Sequence, residues 1–211
     1  MGRSRAALIG FAVTMVAAAT AWADYQMGEE AFENRDYKGA LAELQPLAEQ
    51  GDARSQYLLG TMYRQGLLGV PDKEKGRQWL TMAADGGNAD AQFSLGLMYF
   101  QGEIRPPKDA KKTDPLAAAF DLFQRAAEQG HSDAQLYLGQ MYENGMGIRR
   151  DRVEALKWYQ LAVWQRNSIA NAAHVAIQAA MSPEAIAEGK ARARDWKPEE
   201  SGQTEKTRGR K

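Results

Sequence analysis

The chain of 211 residues contains no cysteine. That absence excludes thiol catalysis, iron–sulfur clusters, cysteine-ligated zinc and every disulfide, so packing alone has to hold the fold. Histidine is nearly as scarce: His131 and His174 stand 43 positions apart, with no second histidine or acid at ligand spacing, and His131 reads as a solvated turn residue. An excess of one charge is missing as well. The 27 Lys and Arg balance 27 Asp and Glu, which leaves no electrostatic footprint for nucleic acid. No G-x-S-x-G, phosphate-loop, dinucleotide or Ser-x-x-Lys motif occurs. The adjacent pairs Glu29-Glu30 and Glu199-Glu200 point apart rather than facing each other across a substrate. The expectation is a non-enzyme with no cofactor and no metal site.

Long apolar runs are also absent, except at the start. Arg3 and Arg5 precede the uncharged, mostly apolar stretch from Ala6 to Ala19, and Ala21-Trp22-Ala23 supplies the small residues of an A-x-A cleavage site. The run is shorter than the roughly 20 residues that span a bilayer. Residues 1–23 are therefore expected to be a cleaved signal of bacterial type, cut after Ala23. This predicts a periplasmic protein, or alternatively a secreted one, with no stable membrane span after cleavage. Removal takes away two arginines and no acid, leaving 25 basic against 27 acidic residues.

What the sequence does have is a repeat. Leu59-Gly60-x-Met62-Tyr63-x-x-Gly66 returns as Leu95-Gly96-x-Met98-Tyr99-x-x-Gly102 and as Leu138-Gly139-x-Met141-Tyr142-x-x-Gly145, at intervals of 36 and 43 residues. A period in this range marks a helical solenoid, whose units bury their apolar faces only against neighbours. Each unit reads as two helices. The first stops at Gly66, Gly102 or Gly145, where glycine can take the left-handed conformation. The second, which Asp72 and Asp151 are suited to cap, carries Trp79, Leu122 or Trp158 and an Ala83-Ala84-like pair. It ends at Gly86-Gly87 or Gly130, but in the third copy it runs on into Trp164-Gln165-Arg166-Asn167 without a glycine. Gly60, Gly96 and Gly139 lie inside helices, where glycine costs about 1 kcal/mol relative to alanine. A neighbouring helix too close for a side chain is the expected reason.

The arrangement A-x-x-Q-x-x-L-G-x-M-Y-x-x-G followed by W-x-x-x-A-A-x-x-G resembles the Sel-one-like repeat (SLR) family, relatives of tetratricopeptide repeats. The resemblance covers about residues 51 to 165. It implies an all-α, right-handed superhelix (α-solenoid) of antiparallel helix pairs. Three units are expected at about 51–86, 87–129 and 130–167, after a degenerate N-terminal capping pair at 24–50. A capping pair at 168–197 follows, opened at Ile169 to Ala180 and again at Ser182-Pro183, and then a disordered tail at 198–211. The second unit carries seven extra residues within 103–115, a loop that either contributes to binding or is simply tolerated.

Comparison of the copies separates constant from variable positions. Gly60, Tyr63, Gly66, Trp79, Gly96, Tyr99, Gly102, Gly139, Tyr142, Gly145 and Trp158 read as structural. The variable positions of the first helices recur at i, i+3, i+4, i+7 and i+10 and so share one face. The resemblance places that face in a concave groove. The candidate partner-binding residues are Arg54, Tyr57, Leu58, Thr61, Phe93, Leu97, Phe100, Tyr137 and Gln140, with Arg64, Asp90, Ser94, Asp133, Leu136 and Glu143 alongside. Tyr57, Phe93 and Leu136 read more readily as inter-helix packing, while Leu97 and Phe100, which replace polar residues of the other copies, suit the groove and the packing equally. By resemblance, the function is protein–protein interaction: an adaptor or regulator of an envelope or signalling complex holding a protein or peptide. The alternative is a cell-wall or β-lactam binding protein with weak hydrolase activity, as in cysteine-rich relatives whose cysteines this chain lacks.

Overall fold

The structure, a computed structural model, describes residues 23–105 and 114–198. Most of the expected signal (1–22), the middle of the insertion (106–113) and the expected tail from 199 on lie outside these residues. The chain forms two compact units divided between Gly86 and Gly87. Every described element is helical, and the helices pack in consecutive pairs, as the solenoid class requires.

The first unit holds α1 (23–33), α2 (Tyr37–Glu49), α3 (Ala53–Gln65) and α4 (Lys73–Asp85). Leu44, Leu47, Leu59 and Met62 fill its core, with Tyr37, Leu41 and Trp79 against the edge. The second unit holds α5 (Ala89–Phe100), α6 (Pro115–Glu128), α7 (Ser132–Asn144), α8 (Arg152–Trp164), α9 (Ser168–Gln178) and α10 (Pro183–Asp195). α5 pairs with α6, and α7 with α8. The two helices expected as one terminal pair both pack on α8. Ile177 of α9 and Ile186 of α10 meet Leu156 and Tyr159 there.

Two devices explain the constant letters. The interior glycines sit where helices of a pair cross. A Cβ at Gly60 would stand 2.7 Å from Leu80 Cγ, one at Gly96 2.8 Å from Phe123, and one at Gly139 2.5 Å from Tyr159. The terminal glycines Gly66, Gly102 and Gly145 adopt φ of 71°, 72° and 72°, a left-handed conformation that is nearly free of cost for glycine alone.

A third device lies in the glutamine of A-x-x-Q. Gln56, Gln92 and Gln135 are buried. Gln56 Nε2 donates to Ala48 O at 2.9 Å, and Gln135 Nε2 donates to Ala127 O at 3.2 Å. Within the second unit, Gln129 donates to Gln92 Oε1 and Gln165 to Gln135 Oε1, each at 2.8 Å. An amide has both a donor and an acceptor to satisfy, so the buried Gln135 side chain ties α7 to the end of α6 before it and to Gln165 at the end of α8 after it.

Candidate interaction face

Asp52, Asn88 and His131 occupy one repeat position and all cap the first helix of a copy. Asp52 Oδ1 accepts from Ser55 N–H at 2.8 Å, Asn88 Oδ1 from Ala91 N–H at 2.8 Å, and His131 Nδ1 from Ala134 N–H at 3.1 Å. His131 is therefore not a solvated turn residue. Its side chain is only 16% exposed and stacks on Phe93 with ring centroids 4.6 Å apart. With Nδ1 accepting, the ring proton sits on Nε2, 3.4 Å from Asp90 Oδ1. The hydrogen bond from His131 holds the Asp90 carboxyl below its usual range.

In the second unit, α5 and α7 bring the candidate residues together. Phe93 lies 5.7 Å from Tyr137, and Phe100 lies 5.5 Å from Tyr137 in an edge-to-face contact. Phe123 of α6 backs all three at 5.7, 6.0 and 5.2 Å. Leu97 packs against the same cluster. Phe93, Leu97, Phe100 and Tyr137 are each half-buried, so one edge of the cluster reaches solvent while the other is core. Gln140 follows Tyr137 on α7 and is also half-buried. Such rings form a stiff amphipathic wall that loses little freedom when a partner covers it.

Two variable positions do not reach the surface. Leu58 is 8% exposed and belongs to the core of the first unit, and Leu136 is 3% exposed against Leu156 and Tyr159. The burial of Leu58 corrects its assignment to the face, whereas that of Leu136 agrees with its reading as inter-helix packing. Variation at one helix position tracks the volume of its neighbours as well as solvent. Elsewhere in the first unit, Arg54 is held by Asp52 at 3.1 Å and lies 4.1 Å over the Tyr25 ring. Tyr57 packs against the core edge, and Thr61 and Arg64 are half-buried.

The structural positions have local partners too. Tyr63 accepts from Lys75 Nζ at 2.8 Å, and Tyr142 packs edge-to-face on Phe120 at 5.3 Å. Tyr99 packs against the second unit's core, Trp79 against the first's, and Trp158 lies buried beside Trp196. Reading the first helices alone missed Phe123 and His131. Phe123 carries a signal only in its spacing, because it fills the slot of Leu80 and Tyr159. Among the described residues there is no group of three or more metal-ligating side chains, and no helix is long and apolar enough to cross a membrane.

The fold and face define a helical-pair repeat scaffold with a preformed aromatic surface. Three matches to the Sel1 repeat cover residues 53–88, 89–131 and 132–163, and the chain belongs to this family. It is similar to a solved Sel1 repeat protein from Oxalobacter formigenes, at 34% identity and a TM-score of 0.56, over 64% of this chain and 96% of that one. A weaker likeness, at 17% identity and a TM-score of 0.39, is to a protective antigen from uropathogenic Escherichia coli strains displaying an SLR fold. It spans 83% of this chain and 53% of the antigen. No curated protein matches.

Proposed function

We propose that the protein is an exported scaffold of the bacterial envelope, an adaptor or regulator that holds a protein or peptide against the α5–α7 wall. Sel1 repeat proteins generally mediate protein–protein interaction, and the scaffold is typically non-enzymatic. The observation that carries the reading is the half-exposed cluster of Phe93, Leu97, Phe100 and Tyr137, contributed by the first helices of successive repeats. Aromatic residues dominate binding hot spots, and here they are already fixed in place.

The test replaces Leu97→Gln and Phe100→Glu, the residues of the third copy, in a tagged protein expressed in its native host. Affinity capture should then lose its main partners, with the circular dichroism spectrum unchanged. Recovery of the same partners at the same yield would overturn the assignment. Export rests on the Arg3–Ala23 pattern. Intact mass of the mature protein in a periplasmic extract should place its first residue at Asp24, and an uncut chain in the cytoplasm would remove that part of the proposal.

A further inference from the structure

Helices α8 and α10 form a second cleft that shares no residue with the α5–α7 wall. Gln160 and Trp164 stand one turn apart on α8, and Ala187, Lys190 and Arg194 follow one another along one face of α10. Together they line a cleft of about 300 Å³. Trp164 is 54% exposed, although α8 buries Trp158 and Leu161 almost completely. The core of this unit is therefore complete without it.

The charges are equally distinctive. Arg192, on the same helix as the cleft cations, is tied to Glu154 and Glu188, and Lys157 is tied to Glu154. Lys190 and Arg194 have no carboxylate partner among the described residues. A surface that carries a bare tryptophan, a glutamine and two unpaired cations complements an anionic group joined to an apolar one. The spacing narrows the choice. Side chains one turn apart on a helix are about 5–6 Å apart at Cβ, and alternate side chains of an extended peptide are separated by about 6.5–7 Å. A lipid headgroup with a single phosphate offers one anion, where the cleft presents two cations. The chain's own end, from Glu199 to Lys211, has no apolar residue to set against Trp164.

We propose that this cleft docks an acidic, extended peptide segment. Two carboxylates at alternate positions meet Lys190 and Arg194, a following apolar side chain lies on Trp164 and Ala187, and Gln160 bonds the peptide backbone.

The probe is a fluorescein-labelled peptide Ser-Glu-Ser-Glu-Ser-Leu-Ser, titrated against the full chain by anisotropy, beside its counterpart with glutamine for glutamate. The acidic peptide should bind and weaken with added salt, while the glutamine peptide should not bind. Trp164→Ala should weaken binding roughly tenfold, and Lys190→Glu with Arg194→Glu should abolish it. All three side chains reach solvent, so circular dichroism should confirm the fold in each variant. An independent readout is His174, whose imidazole is held below its ordinary range by burial and by the nearby Lys190 ammonium. Its titration midpoint, followed by NMR, should rise when the acidic peptide binds. No binding of the acidic peptide, equal binding of the glutamine peptide, or indifference to the double reversal would each overturn the proposal. So would binding to phosphatidylglycerol vesicles that needs Lys190 and Arg194 while the peptide does not bind.

Discussion

In the first unit the paired helices cross where two glycines meet, whereas in the second they cross where one glycine meets a ring. A Cβ on Gly76 would stand 2.8 Å from Arg64 N and 2.9 Å from Gly60 O, and Leu80 closes over the same point. At the place of Gly76 the second unit has Ala119 and Ala155, both fully buried, and at the place of Leu80 it has Phe123 and Tyr159. The same close approach is thus reached by two chemistries. The aromatic version has a consequence beyond packing. Phe123 is large enough to emerge behind Phe93, Phe100 and Tyr137, and so it supports the exposed wall. Tyr159 instead reaches Glu143 Oε2 with its hydroxyl at 2.7 Å. Burial, and then that bond, push its ionisation well above the ordinary phenol range. The repeated glycine marks where helices touch, and the residue opposite decides what the surface becomes.

Removing the ring should have the largest consequence. Phe123→Ala should destabilise the second unit by about 3–5 kcal/mol, the usual cost of deleting a buried aromatic side chain. In the opposite direction, Leu80→Phe should cost the first unit about 1–3 kcal/mol by overpacking the Gly60–Gly76 crossing. Urea unfolding followed by circular dichroism reads both. A loss below about 1 kcal/mol for Phe123→Ala would mean that the ring is an ornament of the wall and not its support.

The next effect concerns the cap position. Asp52, Asn88 and His131 do one job with three chemistries: a carboxylate weakens as an acceptor in acid, an imidazole that gains a proton at Nδ1 can no longer accept there, and only the amide is indifferent to pH. Burial tends to raise the Asp52 pKa, but the hydrogen bonds from Ser55 N–H, Ser55 Oγ and Arg54 outweigh it and leave the carboxyl below its usual range. A depressed folded pKa gives stability that is present above the unfolded value, about 3.9, and is lost as pH falls through the folded value. Asp52→Ala should therefore cost about 0.5–2 kcal/mol at pH 7, and the gap from the parent protein should close below about pH 4. Asn88→Ala should cost a similar amount with no such narrowing. Thermal melts at pH 7 and pH 3 decide it. A gap for Asp52→Ala that is unchanged at pH 3 would show that the charge contributes nothing.

Much of this was legible because it is local. Asp72 and Asp151 cap as their positions suggest, accepting from Lys75 and Glu154 N–H, and the interior glycines face Leu80, Phe123 and Tyr159. What was hidden depends on partners distant in sequence. Nothing near Gln135 indicates that its acceptor oxygen waits for Gln165, 30 residues on. His131 resembles a turn residue until Phe93 is placed against its ring. Leu58 and Leu136 vary between copies as surface residues do, yet they are buried. The adjacent positions trade volume, Tyr57 with Leu58 against Leu136 with Tyr137, and one helix viewed alone cannot separate compensation from exposure. The wall itself was half visible, since Phe93, Leu97, Phe100 and Tyr137 were singled out while Phe123 behind them was not.

The turns that precede the helix starts carry a smaller energy. A left-handed residue precedes the cap at Gly51-Asp52, Gly87-Asn88 and Gly130-His131, with φ of 94°, 88° and 89°. The same turn recurs at Arg166-Asn167, where arginine holds φ at 64°. The helix expected to run on through Trp164-Gln165-Arg166 thus ends at Trp164. Arg166 N–H bonds Val163 O at 2.8 Å, Asn167 N–H bonds Ala162 O at 3.1 Å, and Asn167 caps α9. The bonds that close the turn can form without glycine, but the side chain adds about 1–2 kcal/mol of backbone strain. Arg166→Gly should therefore raise stability by about 1 kcal/mol, less than the full strain because glycine also gains freedom in the unfolded chain. Gly130→Arg should lower it by a similar amount. Arg35, with φ of 62° before the cap Asp36, should respond like Arg166. Paired melts of these variants are the measurement. If Arg166→Gly left the melting temperature unchanged or lowered it, then contacts of the arginine side chain, and not the backbone angle, would set the energy of this turn.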